Sequence, residues 1–149
     1  LAWAGHPGQA RNRLRSVPLA RLSELTAHFA GRCDFHVLQK GEGLAELDGL
    51  DAPLLRSSDG CEDFADTAAL IGQLDLVITV DTSVAHLAGG LGHPCWILLA
   101  HVPDWRYGPA GEQCGWYPQA RLFRQETDGD WQGVLERVRR ALEDWLVQA

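Results

Sequence analysis

The chain contains no methionine. It opens at Leu1, directly on an apolar run. Cleaving an initiator methionine normally leaves a small residue rather than leucine, so the expectation is a piece of a longer polypeptide, with part of the function upstream. The four cysteines, Cys33, Cys61, Cys95 and Cys114, form no C-x-x-C pair. That spacing excludes a redox dithiol, and no pairing of them with His86, His93 or His101 has zinc-site spacing. They read as reduced thiols of a cytoplasmic protein. No run is long enough to span a bilayer, and no signal peptide is visible. A basic face is also missing: the formal net charge is −7, which argues against general nucleic-acid binding. Three phosphate- or nucleophile-bearing loops are absent: G-x-G-x-x-G, G-x-x-x-x-G-K-[ST] and G-x-S-x-G. NAD binding is therefore disfavoured, and neither a cofactor nor a metal is expected.

What is present is an ordinary globular composition, 46% hydrophobic and 22% charged over 149 residues, enough for one domain with a real core. The most informative stretch runs from Asp75 to Ala100. Leu76–Val80 is apolar and β-branched apart from Thr79, as a strand covered on both faces should be. Asp81, Thr82 and Ser83 supply caps and hydroxyls where a helix begins. Val84–Leu91 carries that helix, Gly92 ends it, and Pro94 introduces a second buried strand, Cys95–Leu99. This is a β-α-β unit whose first turn offers free backbone N–H groups at a helix N-terminus, a setting that suits a phosphate.

The rest alternates in the same manner. Leu1–Ala4 reads as a first buried strand and Gly5–Ser16 as a long polar loop holding Arg11, Arg13 and Arg15. Pro18 suits the first turn of a helix carrying Leu19, Leu22, Leu25 and Phe29, closed by Gly31. Phe35–Gln39 is the second strand, followed by the loop Lys40–Gly43 and a short helix near Leu44–Leu47. Pro53–Leu55 is a short third strand, and Asp66 caps a helix through Leu74. After Leu99 comes a loop rich in Pro, Gly and Trp. Arg121–Arg124 is a last strand, and Asp130 caps a final helix whose apolar face includes Trp131, Val134, Leu135, Val138, Leu142, Trp145 and Leu146. The fold class expected is α/β, a Rossmann-like parallel sheet with helices on both faces.

In such sheets ligands sit beyond the carboxyl ends of the strands. The candidates on that rim are Asp81, Thr82 and Ser83 around a diphosphate, and Arg13 or Arg15 as a phosphate clamp. Glu42 or Glu46 stands where nucleotide folds grip ribose hydroxyls. His86 faces the phosphates or caps buried polar groups. Asp104 and Arg106 pair with each other or line the rim. Asp128-Gly129-Asp130 has the D-x-D form of a metal motif in some sugar transferases, but helix capping by Asp130 explains it fully. Trp105, Trp116, Tyr117 and Trp131 either stack on a ligand or pack the last helix, and packing explains most of them.

Together these blocks resemble the heptosyltransferase-like glycosyltransferases, glycosyltransferase family 9, and most of all the branch fused behind tetratricopeptide repeats in bacterial proteins. LAWAGHPGQARNRLRSVPLARL looks like that branch's opening strand, arginine loop and helix start. LQKGEG, DTAALIGQLDLVITVDTSVAHLAGGLGHPCWILL, PDWRYG, WYPQARLFRQ and GDW look like its later blocks, in order. The likeness spans nearly the whole chain and is specific at Asp66–Leu99 and Trp116–Gln125, though not at Leu44–Cys61. It implies a GT-B architecture of two Rossmann-like halves, with residues 1–149 as the C-terminal half that binds a nucleotide-diphosphate sugar donor.

Carried over, Asp81, Thr82, Ser83 and His86 would surround the diphosphate and sugar. Arg13 or Arg15 would be the phosphate-binding base, Glu42 would sit near the nucleoside, and Arg106 would join the donor site. The reaction implied is inverting and metal-independent. Its general base would come from the N-terminal half of the same polypeptide, so this chain alone is expected to bind donor weakly and to turn over little or nothing. Heptosyltransferases often have Gly at the place of Ser83 and Lys in the first loop, so ADP-heptose is not carried over as the donor. More distantly the branch resembles O-GlcNAc transferases. The sugar, base and acceptor stay open. A non-catalytic interaction module and half of a sugar-nucleotide epimerase are the alternatives.

Overall fold

The computed structural model describes residues 1–148. Its helices are α1 (Asn12–Arg15), α2 (Leu19–His28), α3 (Phe64–Ile71), α4 (Ser83–Gly90) and α5 (Trp131–Gln148); its strands are β1 (Phe35–His36), β2 (Leu54–Leu55), β3 (Val77–Val80), β4 (Cys95–Leu99) and β5 (Ala120–Arg124). Two parallel ladders form, β1-β2 and β3-β4-β5. Residues 1–3 join them. On one side the Leu1 nitrogen donates to His36 O, and Leu38 N donates to Leu1 O at 2.8 Å. On the other, Ala2 N donates to Ile78 O at 3.2 Å and Val80 N to Ala2 O at 3.0 Å. The spatial order is therefore β2, β1, residues 1–3, β3, β4, β5. Numbered along the chain, with residues 1–3 as the first strand, that is the 3-2-1-4-5-6 order of a doubly wound sheet.

The period-2 alternation of strands divides the apolar residues between two faces. Ile78, Val80, Trp96, Leu98 and Phe123 pack with Leu19, Leu22 and Leu25 of α2 and with Val134, Leu135 and Val138 of α5. Val77, Cys95, Ile97, Leu99 and Leu122 pack with Ile71 of α3 and with Val84, Ala85 and Ala88 of α4. Every residue of β3 and β4 is buried, which explains their near-continuous apolar sequence.

Several helix ends differ from the sequence expectation. Asp63, not Asp66, caps α3: its Oδ1 accepts from Ala65 N at 2.7 Å and Asp66 N at 3.0 Å. Asp66 instead accepts from Glu62 N at 2.8 Å. In α4 the capping oxygen belongs to Thr82, which accepts from Val84 N at 3.2 Å; Asp81 is left to the site. The Gly5–Ser16 stretch is not wholly loop, since α1 lies within it. Pro18 precedes α2 without capping it. Glu46 caps that helix from a distance, Oε2 accepting from Leu19 N at 2.8 Å and Oε1 from the Trp3 indole at 3.1 Å. Its carboxylate is thereby committed to holding α2 and Trp3 together, and the ribose role does not stand for it.

Two expected ends are found. Gly92, at φ +68, closes α4: its N–H donates to Gly89 O at 3.1 Å while His93 N reaches Ala88 O at 3.0 Å, the paired bonds of a Schellman motif. Asp130 caps α5, accepting from Gly133 N at 2.8 Å. Among the described residues no helix is long and apolar enough to cross a membrane.

Candidate functional site

A doubly wound sheet has a crevice where the strand order reverses, here between residues 1–3 and β3. The loops leaving the carboxyl ends of those two strands are Gly5–Ser16 and Asp81–Ser83. They converge. Arg15 Nη1 lies 3.6 Å from Asp81 Oδ2 across a cleft of about 290 Å³ that Arg11, Val102 and Asp104 also line. Arg11 is tied to the far wall, its Nη2 donating to Val102 O at 3.1 Å. The guanidinium of Arg15 lies back against Gly5, where a Cβ would come within 2.6 Å of Nη2. A larger cavity of about 560 Å³ opens at the opposite edge, near Asp34, Phe35, Leu76 and Trp145. It meets the amino ends of the strands, away from the loops that carry the candidate chemistry.

Asp81 is only 7% exposed, so its carboxylate needs partners. Tyr107 supplies the main one: its hydroxyl donates to Asp81 Oδ1 at 3.0 Å. Arg15 approaches Oδ2 as a cation without closing a hydrogen bond, and the Nε of Arg15 is buried with no partner. Burial, reinforced by the neighbouring Asp81 charge and the hydrogen bond to it, raises the Tyr107 phenol well above its ordinary value.

His86, in the first turns of α4, completes the group. Its Nδ1 lies 2.9 Å from the Tyr117 hydroxyl and its Nε2 3.9 Å from Asp81 Oδ1. The imidazole stacks on Tyr107 with ring centroids 6.4 Å apart. Burial first, then the Arg106 charge, push its pKa below the ordinary histidine value, against the opposing pull of Asp81 and Asp104. That direction favours the neutral imidazole at pH 7. Arg106 Nε sits 2.9 Å from Asp104 Oδ1, but off the N–H direction, so that contact is an ion pair rather than a hydrogen bond.

The structure brings Arg15, Asp81 and His86 together and sets Arg106 close enough to act on His86 through its charge. Thr82 begins the same helix, its hydroxyl 3.2 Å from that of Thr79 as well as capping Val84. Ser83 is exposed at the first position of α4. Arg13 and Glu42 are exposed on α1 and on the 3-10 turn Gly41–Leu47, with no hydrogen bond or ion pair among the described residues. Asp104 and Arg106 pair, as expected. Of the aromatic group, Tyr117 and Trp131 pack inward, while Trp105 and Trp116 are 75% and 60% exposed. The cysteines are free thiols; burial pushes the one at Cys95 up to about 12. No cluster of His, Cys, Asp or Glu suited to a metal ion occurs among the described residues.

Three supporting residues escaped the sequence reading. Gln39 is buried; its Oε1 accepts from Trp3 N and Ala4 N at 3.0 and 2.9 Å, and its Nε2 donates to Ala4 O at 3.0 Å, fixing the exit of residues 1–3. Arg124 donates to Gly111 O at 2.7 Å, to Gly108 O at 3.1 Å and to Tyr107 O, clamping the loop that delivers Tyr107. Tyr107 itself carried a usable signal: the chain has just two tyrosines, and both meet at His86.

No family model matches the chain, and no solved structure matches it. A curated relative is Protein FlbA of Caulobacter vibrioides, 37% identical over 83 residues. The match covers 56% of this chain and 14% of FlbA, so the chain corresponds to a minor part of that protein's length.

Proposed function

We propose that this domain is the donor-binding half of an inverting, metal-independent glycosyltransferase of GT-B architecture, taking a nucleotide-diphosphate sugar. The observation that carries this reading is the meeting of Arg15 with Asp81 at the switch point of the sheet, beside the N-terminus of α4 and His86. A guanidinium with unfilled N–H capacity beside the positive end of the α4 dipole suits a diphosphate. Asp81 would keep Arg15 between itself and the phosphates rather than face them directly.

In the reaction, an acceptor hydroxyl attacks the anomeric carbon from the face opposite the diphosphate. The bond from that carbon to the diphosphate oxygen breaks, and the electron pair leaves with the nucleoside diphosphate. The hydroxyl proton passes to a base on the other half of the enzyme. Negative charge grows on the leaving diphosphate, where Arg15, the α4 N-terminus and a His86 N–H would stabilise it. The sequence resemblance to glycosyltransferase family 9 supports the same assignment.

A second reading rests on Trp105 and Trp116, an exposed edge-to-face pair with centroids 6.1 Å apart. Exposed tryptophans next to a rim fit a non-catalytic interaction module equally well. Isothermal titration of this chain and of the full-length polypeptide with UDP, ADP and GDP separates the two. Saturable binding of one nucleotide, weakened by Arg15→Ala, supports the donor half. Failure of all three with both proteins overturns it.

A further inference from the structure

His86 is gripped from two sides, and the two grips are unequal. Tyr117 meets Nδ1 within hydrogen-bonding distance, whereas Nε2 looks toward Asp81 Oδ1 at 3.9 Å, too far for a hydrogen bond. Tyr117 has little freedom to move. Its ring lies where a side chain on Gly89 would be, 2.4 Å from an ideal Cβ, one turn along the helix that carries His86. The Tyr107 ring lies 11° from parallel to the imidazole, with the two centroids 6.4 Å apart. The charged groups around the imidazole are Asp81, Asp104, Arg15 and Arg106.

A neutral imidazole has one N–H and one lone pair. With the proton on Nδ1, the lone pair on Nε2 would point at the Asp81 carboxylate, anion against lone pair. With the proton on Nε2, the Tyr117 hydroxyl donates to Nδ1, and the N–H dipole faces the carboxylate favourably. Both neighbours therefore favour the Nε2–H tautomer: Asp81 repels the Nε2 lone pair of the other form, and the Tyr117 phenol, a stronger donor than acceptor, bonds better to an Nδ1 lone pair than to an Nδ1–H.

We propose that Tyr117 holds His86 in the Nε2–H form, so that an uncharged N–H donor stands ready at the head of α4 for an anionic oxygen of the ligand. Tyr117 is then a positioning residue: it acts through His86. That the oxygen belongs to a diphosphate rests on the function proposed above; the tautomer does not.

Two-bond ¹H–¹⁵N spectra of the intact chain at neutral pH test this, with His86→Gln identifying the His86 signals among the six histidines. The expected result is an Nε2–H ring in the wild type. Tyr117→Phe keeps the ring packed on Gly89 and should move His86 toward the mixture of tautomers seen in a solvent-exposed histidine side chain. An Nδ1–H ring or an imidazolium in the wild type overturns the proposal, as does a tautomer unchanged by Tyr117→Phe. Titration with UDP, ADP and GDP forms a separate arm. Where one binds, Tyr117→Phe should weaken it about three- to tenfold, the effect of one misdirected hydrogen bond. Absence of nucleotide binding by both this chain and the full-length polypeptide, alongside the expected tautomer, would strike the donor reading and leave the role of Tyr117 standing.

Discussion

Tyr107 Oη and Asp81 Oδ1 are 3.0 Å apart, joining the loop after β4 to the loop after β3 across a buried position. Removing the hydroxyl leaves a buried carboxylate oxygen without its donor. Tyr107→Phe is expected to cost about 1–3 kcal/mol, read from the midpoint of urea unfolding. The phenol titrates higher in the folded chain than in the unfolded one. The native state therefore holds a proton that the unfolded state releases, and stability falls as pH rises above about 10. Tyr107→Phe should flatten that alkaline limb.

His86 and His93 are shifted the opposite way, both below the ordinary value of 6.5, chiefly by burial. The unfolded chain then binds protons before the folded one does. Their contribution is fully present above pH 6.5 and is lost as pH falls through the folded pKa values. Unfolding midpoints measured below pH 6.5 should drop less steeply in His86→Gln than in the wild type. An identical pH slope would contradict the burial of His86.

Gly89 tests how closely Tyr117 is seated. In the wild type, Gly89→Ala pushes a methyl into the Tyr117 ring and should destabilise by about 1–3 kcal/mol. In a Tyr117→Ala background the obstacle is gone, and the same substitution should stabilise by up to about 1 kcal/mol through helix propensity. A double-mutant cycle by thermal unfolding reads the sign reversal directly.

Glu46 should behave as a structural residue. Glu46→Ala removes the cap of α2 and the Trp3 indole acceptor, with an expected loss of about 1–2 kcal/mol, visible in chemical denaturation. Nucleotide affinity of the folded variant should match the wild type. A selective loss of affinity at unchanged stability would return Glu46 to the ligand.

The β-α-β unit around Asp81 is legible in the sequence because parallel strands buried on both faces must be continuously apolar, and β3 and β4 are. Its helix is bounded by Thr82 and Gly92, residues whose local chemistry is strong. The short strands β1 and β2 were placed but overextended, since two residues leave little periodicity to read. Which of two nearby aspartates caps α3 depends on backbone angles that composition does not reveal. The site was legible only where one segment carries it. Arg15 beside Asp81 follows from the strand order, but Tyr107, Tyr117, Gln39 and Arg124 reach the site from separate loops and strands. Their roles come from packing at long range, such as the missing Cβ of Gly89 that admits Tyr117.

The central place of residues 1–3 has a consequence for how the chain assembles. This segment precedes both of its partners in the chain, which lie at His36 to Leu38 and at Ile78 to Val80. A nascent chain shorter than that holds an apolar strand with one edge unpaired. Closing the sheet is thus a late, long-range event, of the kind that slows folding and exposes strand edges to other chains. Deleting even these few residues would divide the sheet along its middle and remove the strand from which the Arg15 loop departs toward Asp81.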